Sequence, residues 1–96
     1  MQFLVVTRRR TEAFAAEAFT PELLEAEQQR VRELYAAGQL RQIWRRGDMP
    51  GACLMFEAET VQDVRDAIGT LPLAQRGMLE VMTLTPLQPY PGMGPR

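Results

Sequence analysis

The 96-residue sequence predicts a single α+β domain, a four-stranded antiparallel sheet with two helices packed on one face. Three observations predict it. Four short runs are rich in apolar, β-branched or aromatic residues: Gln2 to Thr7, Gln39 to Arg46, Ala52 to Phe56 and Leu79 to Leu84. Two stretches between them open on helix-start signals, Thr20-Pro21 and Thr60 with Asp63 three residues on. The resulting order, β-α-β-β-α-β, is the ferredoxin-like plan.

The first strand, Phe3-Leu4-Val5-Val6, is apolar at successive positions, a pattern of burial on both faces. Arg8-Arg9-Arg10 follows and reads as a solvated strand end, since the chain's net charge is only −1 and no aromatics interleave the run. Thr11 to Phe19 is ambiguous, with Phe14 and Phe19 expected to cap the core or a pocket mouth. The first helix starts with Thr20 as N-cap and Pro21 at the first position, and Gly38 supplies its left-handed stop.

Gln39 to Arg46 then alternates, with Leu40, Gln42 and Trp44 expected on one side and Arg41, Ile43 and Arg45 on the other. A loop at Gly47-Asp48-Met49-Pro50-Gly51 leads to the third strand, where Cys53 is expected as a buried, inert thiol. Arg46-Gly47-Asp48 matches an adhesion tripeptide but reads more simply as turn residues. The second helix is expected to turn Val61, Val64, Ile68 and Leu71 inward, ending near Gly69 before Leu71-Pro72-Leu73 reverses the chain. The domain spans residues 1–85, and Pro86, Pro89, Pro91 and Pro95 with Gly92 and Gly94 make 86–96 an extended tail. Helices on one face leave the other face of the sheet uncovered, so at least a homodimer, packed sheet to sheet, is expected.

Composition narrows the function. The apolar share of 46% and charged share of 24% are those of a globular domain, and there is no bulk charge for nucleic acid or a membrane surface. No apolar run is long enough to span a bilayer, and the N-terminus does not have the pattern of a signal peptide. With one cysteine, a cytoplasmic protein is expected. His, Lys, Ser and Asn are absent, which removes Ser-His triads, lysine Schiff bases and histidine haem ligands, and leaves a zinc site only one Cys and carboxylates, a poor donor set. Proton transfer by a carboxylate, with arginine holding an anionic substrate, is the simplest chemistry left.

One carboxylate is out of place. On a helical wheel at about 100° per residue, Leu23, Leu24, Val31, Leu34 and Tyr35 share one face, and Glu27 lies in its middle. An inward-facing acid needs a partner or a task. Two roles are open: a general acid or base whose pKa is raised by apolar surroundings, or a structural ion pair with Arg41 or Arg45. Arg41 and Arg45 could also hold a substrate carboxylate, Trp44 could form a pocket wall, and the Tyr35 hydroxyl could reach the same cavity.

The run Leu34, Gly38, Arg41, Ile43, Trp44, Arg45, then Phe56, Leu71-Pro72-Leu73 and Met78, resembles the muconolactone Δ-isomerase family, over roughly Leu24 to Pro86. The resemblance implies a dimeric α+β barrel built into larger rings. It also implies a double-bond shift in a small carboxylated butenolide lactone, without metal or organic cofactor, and a family glutamate that corresponds to Glu27. Where the isomerases look to hold substrate with a tyrosine and an asparagine, this sequence has Pro50 and Ala52, so a ligand other than muconolactone itself is expected. The competing expectation is a non-catalytic oligomeric module of the same fold that binds a small ligand or serves as a structural partner.

Overall fold

The computed structural model describes residues 1–93. Strand β1 (Gln2–Arg9) is followed by a short 3-10 turn (Ala16–Ala18) and helix α1 (Pro21–Ala36). Then come β2 (Leu40–Arg45), β3 (Ala52–Glu57), α2 (Val61–Gly69), the short α3 (Pro72–Gln75) and β4 (Leu79–Leu87). The sheet order is β2-β3-β1-β4 with every neighbouring pair antiparallel, the ferredoxin-like arrangement.

Local chemistry sets the helix ends. The Leu23 N–H donates to Thr20 Oγ1 at 3.2 Å and the Asp63 N–H to Thr60 Oγ1 at 3.1 Å, so each threonine satisfies an orphan donor of the first turn. At the end of α1, Gly38 adopts φ +80° while the Gln39 N–H donates to the Leu34 carbonyl, which closes the helix with a left-handed residue.

The core lies between the sheet and the helices. Phe3, Val5, Leu54 and Phe56 from the sheet meet Leu34, Val64, Ile68 and Leu71. A smaller cluster of Leu23, Leu73 and Met78, with Phe14 and Phe19 packed on it, extends the core beneath α3. The aromatic pair of the ambiguous segment thus does cap the core.

Four expectations need correcting. Val61, at the first position of α2, is 42% exposed, so the buried face of the helix begins only at Val64. Leu71-Pro72-Leu73 is not a plain turn but leads into a helical turn with proline at its start. β4 continues through Pro86 to Leu87, two residues into the expected tail, since β4 is an edge strand where a missing donor is tolerated. Beyond it, Pro89, Pro91 and Gly92 lie in no helix or strand, and Gly94 and Pro95 are outside the described residues.

The fourth correction concerns β2. Leu40 pairs with Phe56 but Gln42 pairs with Met55, so Arg41 is an extra residue at a bulge. The bulge shifts the alternation: Leu40, Ile43 and Arg45 oppose Phe56, Leu54 and Ala52, whereas Gln42 and Trp44 oppose Met55 and Cys53. The sheet face away from the helices therefore carries Leu4, Val6, Cys53, Met55 and Trp44. None of these is buried within one chain, Cys53 included, whereas Phe3, Val5, Leu54 and Phe56 on the other face are.

Candidate active site

A cavity of about 400 Å³ opens between α1, the start of α3 and the helix-facing side of the sheet. Strand parity builds its floor. Phe3, Val5 and Thr7 of β1 are buried under the helices, and Arg9 continues that alternation to the end of the strand, where it enters the lining.

The loop after β2 is fastened to this strand end. Arg46 forks onto Asp48 at 2.8 and 3.0 Å and also donates to the Thr7 carbonyl at 3.3 Å. The tripeptide Arg46-Gly47-Asp48 is thus a closed clasp, as a turn reading requires. The Arg9 N–H donates to the Pro50 carbonyl at 3.0 Å, and the buried Thr7 hydroxyl accepts from the Ala52 N–H at 3.2 Å. Gly51 passes so close that a Cβ there would lie 2.2 Å from the Thr7 carbonyl oxygen, so only glycine fits. These contacts bring Thr7, Arg9, Gly51, Ala52 and, across the β2–β3 pair, Arg45 to one wall.

Glu27 lines the opposite wall from α1 and is half-buried. Its Oε1 accepts a hydrogen bond from the Leu73 N–H at 2.9 Å, one of the donors at the start of α3 that no helical carbonyl reaches. Its Oε2 has no hydrogen bond among the described residues and is not sealed from solvent. Burial raises the Glu27 pKa above the usual carboxylate value, opposed more weakly by the Leu73 N–H and by the positive charge of Arg9. The expected ion pair with Arg41 or Arg45 is not formed: the acid is held by a backbone donor instead.

The other sequence-predicted residues divide. Trp44 and Arg45 line this cavity with Glu27. Arg41 does not, because the bulge takes it out of register with Arg45. Tyr35 does not either: it is 64% exposed, at the edge of the apolar face of α1, and borders a separate surface groove with Trp44 and Ile43.

Arg9 is the cavity residue that the sequence reading passed over. The three arginines at the end of β1 have different environments. Arg8 pairs with Glu12 and Glu80, Arg10 donates to the Gly77 carbonyl, and Arg9 lies with its guanidinium 5.4 Å from the centre of the Phe19 ring. The signal that could have found it is parity with Phe3, Val5 and Thr7.

The arrangement offers an accessible carboxylate with a raised pKa, three arginines and an apolar wall of Val31, Leu54, Leu71 and Leu73. It suits removal and return of a proton on a small organic anion. Among the described residues no cluster of His, Cys, Asp and Glu could hold a metal ion, and no helix is long and apolar enough to cross a membrane.

Residues 1–92 match the family model described as muconolactone delta-isomerase. Among solved structures the chain is similar to muconolactone isomerase, with a TM-score of 0.78, 21% identity and coverage of 96% of this chain and 93% of that one. It is also similar to 5-chloro-2-hydroxyhydroquinone dehydrochlorinase from Burkholderia phenoliruptrix in complex with 2,5-dihydroxybenzoquinone. There the TM-score is 0.72 and the identity 18%, over 92% of this chain and 94% of that one. No curated protein sequence matches.

Proposed function

The chain belongs to the muconolactone delta-isomerase family, and from that membership we propose that it is a cofactor-independent isomerase that moves a proton and a double bond within a small anionic lactone or related compound. The observation that carries the reading is Glu27, a half-buried carboxylate with a raised pKa and an oxygen without a hydrogen bond among the described residues, in a cavity of about 400 Å³.

Ionised Glu27 takes a proton from a carbon flanked by a carbonyl group and a C=C bond. The electrons of the broken C–H bond delocalise into the conjugated enolate. The protonated acid then returns its proton at the other end of that system, so the double bond shifts and nothing is gained or lost. Burial serves both steps, because it draws the pKa of the acid towards that of a usable base. The aliphatic wall of Val31, Leu54, Leu71 and Leu73 excludes water from the enolate, and Arg45 offers a cation at the mouth.

We infer also that the protein works as a homodimer or a larger assembly of dimers, with the sheet face of Leu4, Val6, Cys53, Met55 and Trp44 turned to a second copy. Trp44 is 51% exposed in one chain, an area of aromatic surface that a second sheet would cover.

The lining also supports a second reading. Gly51 and Ala52 give the loop side of the cavity no side-chain hydroxyl or amide to orient a substrate, which favours a ligand-binding module without catalysis. Deuterium exchange into a panel of butenolides and enol lactones in D2O, followed by NMR, separates the two. Exchange or isomerisation of a panel member by the wild-type protein is expected; none with any member contradicts the isomerase reading.

A further inference from the structure

We propose that Arg9 binds the carboxylate of the ligand in this cavity, so that the ligand is a small organic anion held with its reacting carbon between Arg9 and Glu27. The inference rests on the cavity being the functional site for an anionic ligand, and it assigns to that site the residue that holds the anion.

Three arginines line the cavity: Arg9, Arg32 and Arg45. Arg32 is engaged by Glu25 at 3.0 Å and by Gln29. Arg45 lies at the rim and is exposed. Arg9 is half-buried, close enough for its charge to act on Glu27, and forms no ion pair among the described residues. The arginines on either side of it, Arg8 and Arg10, have carboxylate or carbonyl acceptors. Among the described residues the Arg9 guanidinium has the face of Phe19 and no hydrogen-bond acceptor.

That contact leaves the fork open. A guanidinium over an aromatic ring uses its π-face, while its five N–H donors radiate in its own plane. A carboxylate can therefore meet it edge-on in the bidentate geometry without disturbing Phe19. A partly desolvated cation that lacks an anion is a poor structural element, and a ligand that supplies the anion turns the deficit into selectivity. Glu27 does not occupy the fork: its charge is within reach of Arg9, but among the described residues no ion pair joins the two, and Oε1 accepts from the Leu73 N–H. The apolar lining then receives the uncharged body of the ligand, which a second anionic group would not suit.

The test is calorimetric titration of the full chain with two probes, a carboxymethyl-substituted butenolide and its methyl ester. Wild type is expected to bind the acid at least about tenfold more tightly than the ester. Arg9→Gln is expected to bind both alike, at the wild-type affinity for the ester, and Arg32→Gln to keep the preference. Wild type without a preference, Arg9→Gln with the preference intact, or its loss in Arg45→Gln in place of Arg9→Gln would each overturn the assignment. Should Arg9→Gln fail to fold, the Arg9 Nε–H resonance of the wild-type protein decides: it is expected to shift with the acid and not with the ester, and its indifference to both overturns the proposal. Glu27→Gln separates this inference from the isomerase reading. It is expected to retain the preference for the acid, whether or not proton exchange depends on Glu27.

Discussion

Glu27 on α1 and Leu73 at the start of α3 are joined by a hydrogen bond, the Leu73 N–H donating to Glu27 Oε1 over 2.9 Å. An acid that the helical wheel places among leucines is thus neither stranded nor ion-paired. It caps a four-residue helix that begins with a proline and keeps one oxygen available to the cavity. The same bond gives the acid a structural role beside any chemical one, and the two can be separated by experiment.

Because burial raises the folded-state pKa of Glu27 above its ordinary 4.5, the folded protein holds this proton more tightly than the unfolded chain. Stability contributed by the protonated acid is present below pH 4.5 and is lost as pH rises through the folded-state pKa. Glu27→Gln retains a carbonyl oxygen for the Leu73 N–H and cannot ionise. Urea denaturation across pH is expected to show the variant more stable than wild type at neutral pH, with the difference shrinking as pH falls to about 4.5. A variant less stable at every pH would contradict this reading of the site.

Gly51, the residue before β3, packs directly against the backbone of β1. A methyl group there would meet the Thr7 carbonyl oxygen and, at 2.9 Å, the Arg8 Cα, both backbone atoms that cannot swing aside, and its φ is +154°. Gly51→Ala is expected to lose about 1–3 kcal/mol of stability. Gly47→Ala, with nothing within 4 Å of the added carbon, should stay within about 0.5 kcal/mol of wild type. Equal effects of the two substitutions would refute the packing argument.

Met55 lies at the centre of the uncovered sheet face, beside Leu4 on one side and Gln42 on the other. If that face meets a second copy, sedimentation velocity of the wild-type protein gives a dimer or a multiple of it, and Met55→Glu shifts the distribution towards monomer by placing a charge in the contact. A wild-type monomer at every concentration would remove the proposed assembly.

Much of this was legible in the sequence because the signals are local. Thr20-Pro21, Gly38 and Thr60 mark helix ends through bonds made within a few residues, and helical periodicity singles out Glu27 from its own neighbours. What was not legible depends on pairing. The bulge at Arg41 becomes visible only when Leu40 and Gln42 are set against Phe56 and Met55, so the grouping of Arg41 with Arg45 fails. Pro86 reads as a strand breaker until β4 proves to be an edge. Leu73 N–H as the partner of Glu27 is separated from it by 46 residues, and no spacing rule points to it. Arg9 was hidden by its company, since a run of three arginines reads as one solvated patch although the middle one belongs to the buried side of the strand.

The most direct test of the account is the rate at which solvent deuterium enters a butenolide substrate in wild type and in Glu27→Gln, at neutral pH and with folding of both verified. If Glu27 carries the proton, the variant is slower by about 10²–10⁴-fold, the usual range for loss of a general acid or base, and the wild-type rate rises with pH through a Glu27 pKa above the ordinary carboxylate value. Exchange at the wild-type rate in Glu27→Gln would contradict the account, leaving Glu27 as the cap of α3 and nothing more.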